Sequence, residues 1–311
     1  MVFIIQDRLP VSPLTPIQTG IALRLSSVLL FAGLNICIRL SAADVPLGEL
    51  MFFRSAVALI PLGIYLAIRG EFLTGFRTKY PWGHVLRSLF GCTAMATSFT
   101  SMSYLPLANA TALAFITPMV TVVAAILLLG ERPKLIVYIA LAMGFCGIIT
   151  MLSPALRSTG LDHHTLIGTA AGIAAAMSSA AVITQVKKLT KTELPATIAL
   201  YFAITCSIVG LATLPLGWVF PSLAWNLPHG TPLIALIMGG ILGGIAQIMM
   251  TEAFARAPAS TLAPFEYTSM MWALMADIII FSVWPGPQTL LGSALIVGAA
   301  ALVALSTRRR A

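Results

Sequence analysis

Apolar stretches about as long as a bilayer is thick follow one another almost from end to end of this 311-residue chain. A helix needs about 20 mostly apolar residues to cross the hydrocarbon layer. Breaks of charge, proline or glycine predict helices at 19–38, 47–68, 82–104, 107–129, 134–152, 166–186, 195–217, 231–254, 258–283 and 288–306. Backbone groups in lipid must be satisfied internally, so the pattern predicts an all-α integral membrane protein of ten transmembrane helices. Composition agrees: 59% of residues are hydrophobic and 9% charged, against about a quarter charged in a soluble domain.

The net charge of +8 would suggest nucleic acid in a soluble protein, but here the basic residues answer first to membrane topology. With the N-terminus inside, fifteen of the 18 Lys and Arg fall on the inner side and its helix ends, Arg24 and Arg87 among them. Arg39 and Arg157 fall outside, and Arg54 lies within the second helix. The positive-inside rule therefore places both termini in the cytoplasm and the chain in a bacterial inner membrane, with the bilayer and not nucleic acid as its partner. Residues 1–18 lack an apolar core followed by a cleavage site, so no cleavable signal is expected.

Residues 104–118, YLPLANATALAFITP, resemble 254–268, FARAPASTLAPFEYT, with Thr111 and Phe115 aligned to Thr261 and Phe265. Pro118 and Pro264 stand near this point, four residues out of register. The match falls where a five-helix duplication requires it, and an odd number of helices per half makes the halves inverted. The expected organisation is a cytoplasmic segment 1–18, a first repeat 19–152, an outer linker 153–165, a second repeat 166–306 and a basic tail 307–311.

Ionisable groups inside a bilayer are expensive and face a cavity or a partner. Arg54, Glu266 and Asp277 qualify. Glu266 and Asp277, eleven residues apart, share one helical stripe about 16 Å apart along the axis. Glu266 reads as a proton-coupled base or an acceptor in a central site, or as a structural hydrogen bond to a neighbouring helix. For Arg54 the structural reading is preferred, snorkelling outward or pairing with Glu49. Pro118 and Pro264 each free a backbone carbonyl mid-helix, and paired helix breaks point to a transport site or to packing kinks. Around them Asn35, Arg87, Thr111, Phe115, Thr117, Gln185, Gln247, Phe265, Glu266, Tyr267 and Trp272 are the candidates for lining a substrate cavity. Gly239, Gly240, Gly243 and Gly244 form two overlapping GxxxG pairs, read as packing, and Glu252 with Arg256 reads as an ordinary i,i+4 pair. The four cysteines read as reduced, packed side chains.

His163 and His164 sit in an outer loop and His84 and His229 are isolated, so neither a metal nor a cofactor is expected. GxxxxGK[ST], HExxH and GxSxG are absent, leaving an enzyme reading without support.

The ten-helix pattern, MFFRSAVALIPL at 51–62, GERPK at 130–134 and APFEYTSMMWAL at 263–274 resemble the EamA-type drug/metabolite transporters over nearly the whole chain. The counterpart of GERPK in the second half, FSVWP at 281–285, lacks the acidic residue, so any contact of Glu131 is not duplicated. The resemblance implies a secondary transporter with a central cavity between the halves that opens alternately to either side. Residues 87–118, with 263–274, look most like the importers of riboflavin and S-adenosylmethionine. Riboflavin uptake is the best single reading, with export of amino acids or related metabolites and S-adenosylmethionine uptake as alternatives, and Phe265, Tyr267 or Trp272 would stack a ring.

Overall fold

The computed structural model describes residues 15–41, 45–104, 113–114, 116–156, 163–218, 220, 224–226, 228–279 and 286–308. The helices are α1 (Pro16–Ser41), α2 (Leu47–Ile68), α3 (Pro81–Tyr104), α4 (Thr117–Leu129), α5 (Leu135–Leu156) and α6 (His163–Leu189). They continue with α7 (Pro195–Leu211), α8 (Thr231–Arg256), the short α9 (Ala259–Leu262), a 3-10 turn (Ala263–Tyr267), α10 (Thr268–Ile279) and α11 (Pro287–Arg308). Every ordered element among the described residues is helical. Five of them are long and apolar enough to cross a membrane: α1, α2, α6, α7 and α8. α3 has 24 residues but is not among the five, because His84, Arg87 and a run of Ser and Thr dilute its apolar character.

Packing follows an exchange of halves. α1 lies along α8 and α3 along α6, while α2 packs on α7 and α5 on α11. With α9, the turn and α10 counted as one unit, moving five helices along the chain turns the first pair into the second and returns the other two to themselves. The glycine stripe of α8 makes this closeness possible. A Cβ on Gly240 would stand 2.5 Å from the Val57 Cβ, and one on Gly244 would stand 2.6 Å from the Pro61 Cγ, both on α2. Gly239 and Gly243 meet Leu34 of α1 on the other face. The stripe is therefore a packing surface for two helices at once.

Pro118 lies in the first turn of α4, whose N-cap is Ile116, where the donor it removes would be unpaired anyway. Pro264 lies in the first turn of the 3-10 segment, which continues α9 with helical backbone angles at Leu262 and Ala263.

The break before α9 is clamped from three sides. Lys187 of α6 donates through Nζ to the carbonyls of Phe254 (2.7 Å) and Ala257 (2.9 Å), closing the end of α8. Glu131 accepts from the backbone N–H groups of Ala259 and Ser260, each at 3.0 Å, and from the Ser260 hydroxyl at 2.6 Å. A carboxylate there satisfies orphan donors and complements the helix N-terminus. Gly20 of α1 lets the chain at Ala257 approach, since its Cβ would stand 2.9 Å from that of Ala257. Gly130, which ends α4, has φ +66°, a left-handed conformation that glycine adopts without strain, and it turns Glu131 toward α9.

Candidate functional site

Two groups of membrane-embedded charge stand out, and they are built differently. The first joins α1 to the 3-10 turn. In that turn successive side chains leave about 120° apart, so Phe265, Glu266 and Tyr267 point to three different sides. Phe265 is packed in the main core cluster with Ile21, Phe254 and Leu262. Tyr267 lies in a second cluster with Val122, Val137 and Leu141, its ring over Gly144 of α5. Neither ring face is free for a substrate in this conformation. Glu266 goes the third way: its Oε2 stands 2.7 Å from Nη2 of Arg24. The Arg24 guanidinium also lies over the Phe254 ring, 5.5 Å from its centre.

Arg24 is thus not the interfacial anchor its place in the sequence suggests. It starts the third turn of α1 and is only 2% exposed, whereas Glu266 keeps 29% of its side chain open. The pair is charge-balanced and sealed on the arginine side, and its open side is the carboxylate. A buried ion pair of this kind is strongly destabilised by removal of one partner, because the other is left charged and unpaired.

The second group lies among α2, α3, α7 and α8. Arg54 lines a small cleft together with Phe202 and Ala203 of α7 and Gly243 and Gln247 of α8. The Arg87 guanidinium of α3 sits 3.9 Å from the centre of the Phe202 ring. Arg54 and Arg87 are within electrostatic range of each other and of Cys206. Cys206 faces Cys92 with 3.8 Å between the sulfurs, and all four cysteines are free. Cys206 is buried as expected, but Cys146 is exposed on α5. Glu49 accepts from the backbone N–H of Asn226 through Oε2 at 3.1 Å, its Oε1 is buried without a hydrogen-bond partner, and among the described residues no ion pair joins it to Arg54.

Of the other candidates, Thr117 and Pro118 are buried at the start of α4, and Gln247 is buried in the cleft. Gln185 is half-buried on α6, Trp272 is half-buried on α10 with no partner for its Nε1, and Asn35 is exposed on α1. Thr111, Phe115 and FSVWP at 281–285 lie outside the described residues, as does the side chain of Asp277. Arg24 and Arg54 carry the two charged groups yet were not among the cavity candidates. At one end of α2 and α8, Tyr65 donates to Glu252 Oε1 at 2.7 Å, and Arg256 pairs with Glu252, so the expected i,i+4 pair extends across two helices. Among the described residues no cluster of three potential metal ligands occurs.

Comparison with known proteins supplies the frame. The chain is 29% identical to a riboflavin transporter of Rhizobium johnstonii over 76% of its length and 75% of that protein's. It is 25% identical to the pseudopaline exporter CntI of Pseudomonas aeruginosa, covering 94% of this chain and 98% of that one. An S-adenosylmethionine uptake transporter of Rickettsia prowazekii is 25% identical over 83% and 82% of the two chains. A solved crystal structure at 22% identity superposes with a TM-score of 0.76 over 93% of this chain and 98% of its own, which shows the shared fold. The profile of the EamA-like transporter family matches residues 18–153 and again 166–305. With long apolar helices and the family matching each half in turn, the chain belongs to the EamA-like transporter family.

Proposed function

We propose that this protein is a secondary transporter that moves a small organic metabolite across a bacterial inner membrane by alternating access, with both termini cytoplasmic. The observation that carries this reading is the Arg24–Glu266 pair placed at the 3-10 segment that contains Pro264 and interrupts the helix between α9 and α10. A half-open carboxylate held by a buried arginine beside a discontinuous helix is an element whose pairing changes when a solute or proton arrives. Glu266 is the exchangeable member, and Arg24 its fixed counter-charge. The breaks at Pro118 and Pro264 are where the two halves would bend against each other.

Flavin uptake is the first substrate reading, supported by the riboflavin transporter among the relatives. It would need Trp272, rather than Phe265 or Tyr267, as the stacking surface, since the latter two are enclosed in core clusters. A second reading, transport of an amino-acid-like metabolite in either direction, is favoured by Arg54 in the wall of the α2–α7–α8 cleft and by Arg87 behind Phe202, whose Nε and Nη1 have no hydrogen-bond partner. The discriminating experiment is uptake of labelled riboflavin by cells expressing the protein, with and without a protonophore. Saturable uptake above empty-vector cells supports the flavin reading. Its absence from a correctly inserted protein moves the assignment to the amino-acid-like class.

A further inference from the structure

A guanidinium keeps its charge in a protein interior, so two of them near each other inside a membrane protein require an anion. The described carboxylates do not supply it. Glu266 is held by Arg24, Glu252 by Tyr65 and Arg256, and Glu71 by Arg69. Glu131 caps α9, Glu193 accepts from the backbone N–H groups of Lys79 and Tyr80 and stands 4.0 Å from His84, and Glu49, which accepts from Asn226 through one oxygen and leaves the other unpartnered, makes no ion pair with Arg54 or Arg87. Arg87 is 2% exposed, and its Nε and Nη1 have no hydrogen-bond partner. The ring of Phe202 beneath it attracts the cation but neutralises nothing. Gln247 is 7% exposed, lines the same cleft as Arg54, and has an unpartnered Nε2. Gly91 keeps this arrangement possible: a Cβ there would stand 2.7 Å from Arg87 Nη1 and 2.5 Å from the Phe202 ring.

We propose that Arg54, Arg87 and Gln247 form an oxyanion-binding site that takes the carboxylate or phosphate of an organic anion entering between α2, α7 and α8. Arg54 offers a planar fork of donors at the cleft wall and the Gln247 amide a third donor from α8. Arg87 stands against Phe202, another wall residue, and supplies the second positive charge. Two sources fit this chemistry: the transported solute, or the headgroup of an anionic lipid reaching between the helices. With the solute as source, the inference rests on the transport reading above and narrows its substrate to metabolites bearing a carboxylate or phosphate.

The test is thermal unfolding of the purified full-length protein in phosphatidylcholine nanodiscs, titrated with acetate or inorganic phosphate against chloride at equal ionic strength. Saturable stabilisation is expected, weakened about tenfold or more in Arg87→Gln and in Gln247→Leu. Gln247→Leu retains both charges, so it carries the test if Arg87→Gln fails to fold. Nanodiscs containing phosphatidylglycerol separate the sources. A lipid headgroup makes the titration disappear there, and a solute site leaves it unchanged. Absence of stabilisation by either anion or by phosphatidylglycerol, or an equal response in both variants, overturns the inference. None of these readouts needs flux, so loss of uptake with anion binding intact would count against the transport reading alone.

Discussion

The Arg24–Glu266 pair and the Arg54–Arg87 cleft place the same side chain in two opposite situations. In the first, a buried arginine has its carboxylate 2.7 Å away. In the second, two arginines share a space with an aromatic ring and an amide, and no described carboxylate reaches them. A matched pair balances its own charge without a ligand, and removing either partner is costly. An unmatched cluster is incomplete and gains from whatever anion arrives. One region thus holds a charge-balanced pair that a transport cycle has to open, and the other an unbalanced cluster open to recognition.

The contrast should break most visibly at Glu266. Replacing it by Gln leaves Arg24 buried and unpaired, which costs about 3–5 kcal/mol of stability, and transport should fall at least tenfold. Adding Arg24→Gln should recover much of the stability without recovering flux, as read by thermal unfolding beside an uptake assay. Gly91→Ala comes next: the methyl group collides with Arg87 and Phe202, an overpacking cost of about 1–3 kcal/mol visible as a lower Tm. Arg87→Gln tests the other half of the comparison with the opposite sign. Removing an unneutralised charge should leave the anion-free Tm unchanged or raised, where Glu266→Gln lowers it. A fall in Tm as large as that of Glu266→Gln would show that Arg87 has a protein partner and erase the distinction. Glu131→Gln should have a smaller effect, about 1 kcal/mol, because the amide keeps one acceptor for the α9 N-terminus. Tyr65→Phe, which loses the hydrogen bond to Glu252 and the longer, exposed one accepted from Arg69, should be the mildest at about 1 kcal/mol or less.

Much of this was legible in the residues. Hydropathy alone marked a helical membrane chain, of which five described helices are long and apolar enough to span, and the spacing of Gly239, Gly240, Gly243 and Gly244 announced a close helix contact that α1 and α2 fill. The duplication between 104–118 and 254–268 pointed to the two breaks, although the register of Pro118 and Pro264 follows the start of each new segment, not the aligned threonines. Arg24 was concealed because the positive-inside rule counts any basic residue near a helix end. Its partner Glu266 lies 242 residues along the chain, and only the tertiary contact between α1 and the 3-10 turn brings them together. Glu49 is a near neighbour of Arg54 in sequence, but one of its oxygens bonds the Asn226 backbone instead, a contact across 177 residues that spacing could not announce. The role of Glu131 could not be read from GERPK, since the helix it caps begins 128 residues later.

The most direct test is counterflow in proteoliposomes containing the purified protein, using labelled riboflavin, S-adenosylmethionine and a panel of amino acids, with Glu266→Gln reconstituted in parallel. A transporter whose Arg24–Glu266 pair rearranges during the cycle will exchange at least one of these solutes saturably, and the variant will lose that exchange while remaining inserted. Exchange by Glu266→Gln at the wild-type rate would contradict the account, because the charged pair at the helix break would then be only a brace.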